Sequence, residues 1–423
     1  MRPSCFLLAA LQFAGTSAAL AGQTSRVSVD SSGAQANNNS SGPSISANGR
    51  FVAFESDATN LVSGDSNSLR DVFLHDRKRG LTRRVSVDSA GAQANGHCLR
   101  TDLSANGRFI VFQSDASNLV PGDTNALSDI FLHDRKTGVT SLVSVDSAGS
   151  QALGGGCYES SVSGNGRFVA FSSFATNLVP GDSNETYDIF VRDRKKGRTE
   201  RVSVSSEGGQ ANGPSRNPVI SANGRFVAFE SGASNLVEGD TNTFSDIFVH
   251  DRKKGRTRRV SLDSGGNQAI DGPSFSPSIS GSGRLVAFDS EASNLTPGDT
   301  NLKSDVFLHD RKSGKTRCVS AGSNGESHSP SVSRTGRFVA FHSSATNLLP
   351  GLNGWRQILV HDRKTGRIRH ASVDSEGVQA DEGASIFPVI SRRGRVVAFQ
   401  SFASNLVEGD TNDAHDIFLR FRR

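Results

Sequence analysis

The stretch "SNLVPGDTNALSDIFLHDRKTG", Ser117–Gly138, decides how this chain is read, because near-copies of it recur along the sequence. Aligning the copies on the Ser before an upstream turn gives Ser46, Ser104, Ser163, Ser221, Ser280, Ser333 and Ser391, spaced 58, 59, 58, 59, 53 and 58 residues apart. A fixed period of this size marks a repeat architecture in which each copy is one supersecondary unit. Each copy divides into four short strands, for instance "PSIS" (43–46), "RFVAFES" (50–56), "DVFLHD" (71–76) and "TRRVSVD" (82–88). "ANGR" after the first strand is an Asn-Gly hairpin signal, and Gly80 in "DRKRG" stands where a turn wants positive φ. Strands such as "FVAF" and "VFL" are apolar on both faces, which requires a sheet covered on both sides.

Four-stranded sheets repeated seven times and covered on both sides predict an all-β, seven-bladed β-propeller. The seventh copy stops at its third strand, "DIFLRFRR", while "TSRVSVD" (24–30) matches the fourth strand of other copies. The N-terminal strand is therefore expected to complete the last blade and leave no open edge.

Composition agrees with a soluble globular chain: 423 residues, 35% hydrophobic, 21% charged and 44 Gly. Residues 1–21 read as a signal peptide, with Arg2, an apolar run from Cys5 to Ala14, and small residues at Ala19 and Ala21. Residues 22–423 read as one domain, secreted or periplasmic, with no later stretch of the roughly 18 apolar residues that a membrane helix needs. Cys98, Cys157 and Cys318 then remain, an odd count in an oxidising compartment. Cys98 and Cys157 occupy matching places in neighbouring copies, so a disulfide between them stands open alongside free thiols.

The repeat resembles the TolB-type, WD40-like β-propeller family, whose blades read roughly S-x-D-G-K-x-I-A-F followed by I-Y-V-x-D-x-x-T-G. The matching residues in the fourth copy are Ser221, Gly224, Arg225, Val227, Ala228 and Phe229, then Ile247, Phe248, Val249, Asp251 and Gly255. The resemblance spans almost the whole chain after residue 21 and implies the propeller fold. Several turns carry Asn where the family has Asp, and the loop between strands two and three is longer than the family's.

That loop carries a recurring Asp-x-Asn-x-x-x-Asp motif: Asp65, Asn67, Asp71; Asp123, Asn125, Asp129; Asp182, Asn184, Asp188; Asp240, Asn242, Asp246; Asp299, Asn301, Asp305; Asp410, Asn412, Asp416. The sixth copy replaces it with "GLNGWRQ". Two carboxylates, an amide oxygen and backbone carbonyls suit a weak Ca²⁺ site. Asx-turn chemistry, with Asp and Asn accepting from loop amides, explains the same residues without a metal. Both readings stand at this point, with turn chemistry ahead.

Strand alternation puts the "HDRK" turns and Arg50, Arg108, Arg167, Arg225, Arg284, Arg337 and Arg395 on one face, which is expected to be basic. The acidic loops and the blade connections lie on the other. A basic ring could meet an anionic polymer such as a cell-wall glycan, lipopolysaccharide or nucleic acid. Lys and Arg at hairpin tips usually only solvate them, however, and with no aromatic residues interleaved for base stacking no nucleic acid is expected. His75, His133, His250, His309 and His361 recur at one strand position, one per blade, too far apart to share a metal.

The blade connections vary most between copies, and they enter the innermost strands around the channel, where propellers bind ligands. They supply the rim candidates His97, Arg100, Asp102, Tyr158, Glu159, Arg216, Asp271, Phe275, Glu326, His328, Glu382 and Phe387, with Trp355 as an aromatic anchor in the loop of the sixth copy. No G-x-S-x-G elbow or H-E-x-x-H motif occurs. The expected function is a monomeric, non-catalytic scaffold for an envelope or extracellular protein or glycan. The alternative is a polysaccharide lyase or hydrolase working at the channel mouth with His97, Asp102, Tyr158, Glu159 and His328.

Overall fold

The computed structural model describes residues 22–422; the leader reading at 1–21 lies outside the described residues. The described strands form seven four-stranded antiparallel sheets. Blade one runs outward through Ser40–Ile45, Phe51–Ser56, Asp71–Asp76 and Leu81–Arg84, and the later blades repeat that order. Blade seven takes its fourth strand from the other end of the chain. Thr24–Arg26 pairs antiparallel with Asp416–Phe421, Ser25 opposite Leu419. The ring is thus closed by the strand expected to close it.

The apolar strands are buried on both sides. Phe51–Ser56 and Asp71–Asp76 are buried at every residue. Phe54 and Phe73 stand opposite each other in the ladder and stack at 5.9 Å. Five other blades repeat the pair at 5.9–6.0 Å, and blade six sets Leu359 opposite Phe341. Each such ring contributes roughly 1.5–3 kcal/mol by burial. The core lies between blades: Ala53, Val72 and Leu74 of blade one pack with Ile110, Phe112 and Phe131 of blade two, while Phe54 and Phe73 pack with Ala398, Ile417 and Leu419 of blade seven.

The "DRK" arginine and the turn glycine join neighbouring blades. Arg194 of blade three donates to the Gly166 carbonyl at 2.7 Å and lies over the Phe109 ring of blade two at 4.9 Å. Equivalent cation-π contacts hold Arg77 over Phe421, Arg135 over Phe51, Arg252 over Phe168, Arg311 over Phe226 and Arg422 over Phe338. Glycine is required beside them. Gly166 has φ +75°, and a Cβ there would fall 2.0 Å from Phe109 Cδ2.

The narrow end of the channel is drawn together by a ring of backbone hydrogen bonds. Ala47 donates to Ala105, Ala105 to Gly164, Gly164 to Ala222, Ala222 to Gly281, Gly281 to Arg334, Thr335 to Arg392 and Arg392 back to Ala47, at 2.9–3.2 Å. Small residues fill most of these positions because the blades converge here. A Cβ on Gly164 would lie 2.7 Å from Arg334 Nη1, so the Arg334 side chain reaches from blade six across to blade three.

Candidate functional site

The wide end of the channel opens into a cavity of about 700 Å³ lined by the innermost strands of all seven blades. Each of these strands contains one residue in the left-handed region: Gly42, Arg100, Glu159, Asn217, Ser276, Ser329 and Phe387, at φ +47° to +57°. All seven strand pairs shift register there, as in a β-bulge. Six of the seven residues are not glycine, a strained backbone of the kind that collects at ligand sites.

Carboxylates bind these bulges to one another. Glu55 accepts the N–H of Arg100 at 2.9 Å, Glu159 that of Asn217 at 2.8 Å, Glu230 that of Ser276 at 3.3 Å and Asp289 that of Ser329 at 3.2 Å. Burial pushes the Glu55 and Glu230 carboxyls up. Arg70 is held by Asp57 at 2.6 Å, with Glu55 at 3.9 Å. Four buried polar atoms at this end have no partner among the described residues: Gln113 Oε1, Ser160 Oγ, His342 Nδ1 and Gln400 Oε1.

Arg100, Glu159 and Phe387 line the cavity, with Arg100 Nη1 and Glu159 Oε1 3.7 Å apart. Asp102 sits deeper, accepting from Ser44 Oγ, Ser161 Oγ and the Val162 N–H, and so links blades one, two and three. His328 approaches Asp289 at 3.3 Å and Glu326 at 3.6 Å; its hydrogen bond to Asp289 raises its pKa. Burial holds neighbouring His342 down at about 3. Tyr158 and Phe174 meet the Tyr187 ring at its edge, and Arg216 lies over the same ring at 4.2 Å. His97 accepts from the Arg70 N–H. Phe275, Asp271 and Glu382 are exposed, as is Trp355 in its loop.

The residues missed from sequence are those beneath the bulges. Glu55, Gln113, Ser172, Glu230, Asp289, His342 and Gln400 share one second-strand position. The signal was present: this position changes between copies while the Ser after it does not.

In the Asp-x-Asn-x-x-x-Asp loops, four blades place an arginine between the two carboxylates. Arg84 meets Asp65 and Asp71 at 3.4 and 3.2 Å, Arg201 meets Asp182 and Asp188, Arg259 meets Asp240 and Asp246, and Arg26 meets Asp410 and Asp416. The asparagines bridge to the blade connection: Asn67 donates to the Ala94 carbonyl at 2.7 Å and Asn125 to that of Ala152 at 3.0 Å. In blades two and five, Leu142 and Cys318 replace the arginine. Burial pushes Asp129 and Asp299 up to about 6, and it raises Asp182 as far in blade three even beside Arg201.

On the opposite face much of the positive charge is neutralised within the fold. Arg50 grips Asp76 through two bonds of 2.7 and 2.6 Å, and Arg108, Arg167, Arg225, Arg284 and Arg337 repeat the pair. The recurring histidines are structural in four blades: His75, His133, His250 and His309 each bond a fourth-strand Thr at 2.9 Å. Cys98 and Cys157 are free, buried thiols rather than a disulfide. Each lies 3.2 Å from a Ser of its own blade, Ser114 or Ser173, filling the place that Ser40 holds in blade one.

No family model and no curated protein matches this chain. Solved structures do. An oligogalacturonate lyase in complex with manganese is similar at a TM-score of 0.56 and 12% identity, over 90% of this chain and 88% of that one. The β-propeller domain of the trilobed protease from Pyrococcus furiosus, described as having an open velcro topology, is similar at 0.53 and 10% identity, over 86% and 91%. TolB from Acinetobacter baumannii is similar at 0.40 and 15% identity, over 71% and 61%. At such identities the first two likenesses are of fold alone, and the number of blades is read from this chain's own seven sheets.

Proposed function

We propose that this propeller is a non-catalytic scaffold that binds a protein or glycan partner outside the cytoplasm, through the face that carries the channel mouth. The leader-like segment at 1–21 supports the location. The observation that carries the binding reading is the sorting of exposed apolar side chains: Leu153, Phe174, Phe244, Ile270, Phe275, Leu302, Trp355, Phe387 and Phe402 lie on the loops and inner strands of the mouth face, and among the described residues only Val139 and Val378 lie elsewhere, Val378 in an outer hairpin whose tip meets Arg420 and Arg422. Apolar anchors around a strained cavity with unpartnered buried polar atoms are the anatomy of a recognition surface. The test is an array of envelope glycans and proteins probed with the parent chain and an Arg100→Glu, Phe387→Ala double variant. Binding lost with the fold intact supports the reading; equal binding by both chains overturns it.

His328, held between Asp289 and Glu326, favours a second reading: a general acid or base acting on a polysaccharide at the mouth. The similar lyase makes oligogalacturonate the first substrate to try. Appearance of unsaturated product that is lost in His328→Ala would replace the scaffold reading with this one.

A further inference from the structure

We propose that the cleft between blades four and five, on the face opposite the channel mouth, is a binding site for a phosphate or sulfate group carried on a soluble polyanion. The cleft encloses about 340 Å³, and its wall contains Arg225, Lys254, Arg256, Arg258, Arg284, Arg311 and Lys312 against one acid, Asp251. Two of these cations are already neutralised, Arg225 by Asp251 and Arg284 by Asp310, each at 2.6 Å. Arg311 is fixed by the Gly283 carbonyl at 2.5 Å and by the Phe226 ring at 4.3 Å, contacts that orient a guanidinium without giving it a counter-charge. Lys254, Arg256, Arg258 and Lys312 have no side-chain hydrogen bond or ion pair among the described residues. Burial holds Arg311 below the ordinary arginine range; the Asp251 carboxylate opposes this, while Arg258 and Arg225 add like charge.

The adjacent cleft provides an internal control. Between blades three and four, Glu200 occupies the strand position that Arg258 occupies one blade later. Glu200 pairs with Arg252, the counterpart of Arg311, at 2.6 Å, and approaches Arg198 at 3.7 Å. That cleft therefore supplies its own anion, and the next one does not. A tetrahedral anion with several acceptor oxygens fits converging guanidinium and ammonium groups better than a single carboxylate does. Lys196, Arg198 and Lys253 around the neighbouring cleft extend the positive track, which suits repeated anionic groups along a chain.

The experiment is titration calorimetry with dextran sulfate on the parent chain and on Arg258→Glu, Glu200→Arg and Lys136→Glu, with melting curves to show that all are folded. Arg258→Glu installs the residue blade three already tolerates, so folding is preserved. Expected are about a tenfold loss of affinity for Arg258→Glu, a second site in Glu200→Arg, and a change of less than about twofold for Lys136→Glu, which alters net charge equally on the same face. Inorganic pyrophosphate should compete in the parent chain. Equal losses in Arg258→Glu and Lys136→Glu, or none in Arg258→Glu, overturn the site. Binding to phosphatidylglycerol vesicles without binding to dextran sulfate overturns the soluble polyanion as its ligand.

Discussion

At the narrow end of the channel the same Ser, Gly, Arg and Asp recur in blade after blade, whereas at the wide end the equivalent second-strand position holds Glu55, Gln113, Ser172, Glu230, Asp289, His342 and Gln400. Both ends are made from the same repeat. They differ in what the neighbouring blade demands. At the narrow end six blades each insert an arginine between a neighbour's ring and their own turn glycine, and blade six does the same with Arg363, Gly336 and the neighbouring Leu285, so seven copies face one packing problem. At the wide end the bulges stand apart around a cavity, and packing dictates little. Repetition marks folding, and divergence on the same scaffold marks where selection had room for something else.

The sharpest way to break this comparison is Gly166→Val at the narrow end. The new side chain would collide with Phe109 and hold a β-branched residue at φ +75°. A loss of about 3–4 kcal/mol in denaturant titration is expected; a loss below about 1 kcal/mol would show that the blade junction is slack. Arg84→Leu comes next. It leaves Asp65 and Asp71, both buried, without their cation, at an expected cost of about 3 kcal/mol. That variant copies what blade two already is.

The reverse change, Leu142→Arg, sharpens the comparison through pH. Burial pushes Asp129 up to about 6, above its value of about 3.9 in the unfolded chain. The folded chain therefore takes up this proton first. The contribution of Asp129 to stability grows as pH falls from about 6 to about 4 and is lost as pH rises. Leu142→Arg should raise stability at neutral pH by about 2 kcal/mol and have a much smaller effect below pH 4. Asp134 has the opposite sign: Arg108 holds it down at about 2, so its contribution is present above about pH 4 and fades below it. Equal effects of Leu142→Arg at both pH values in paired urea titrations would sink the assignment. The smallest expected effect is at the mouth, where Phe387→Ala should change stability by less than about 0.5 kcal/mol, since the ring is 50% exposed. A large loss there would make the mouth part of the folding machinery after all.

The site was half legible. Arg100, Glu159 and Phe387 stood out as variable positions in the blade connections and do line the cavity. Glu55, Glu230 and Gln400 did not, because each follows an apolar run, precedes an unchanging Ser and reads as a solvent-facing polar residue at a strand end. Only the convergence of seven strands turns that position inward. The acidic loops were ambiguous for a related reason: Asp65 and Asp71 are near in sequence, but Arg84 reaches them from the next strand across the ladder.

By itself the sequence determined the number of blades, the strands within each, and the closure of the ring, because these depend on local periodicity, turn chemistry and the complementarity of a three-strand end with a lone leading strand. The tertiary structure decided which charges are neutralised and which remain free. Glu200 and Arg258 occupy one repeat position, yet one cleft carries its own counter-ion and the next does not. Electrostatic partners are chosen across blades, by a geometry that exists only once the ring has closed.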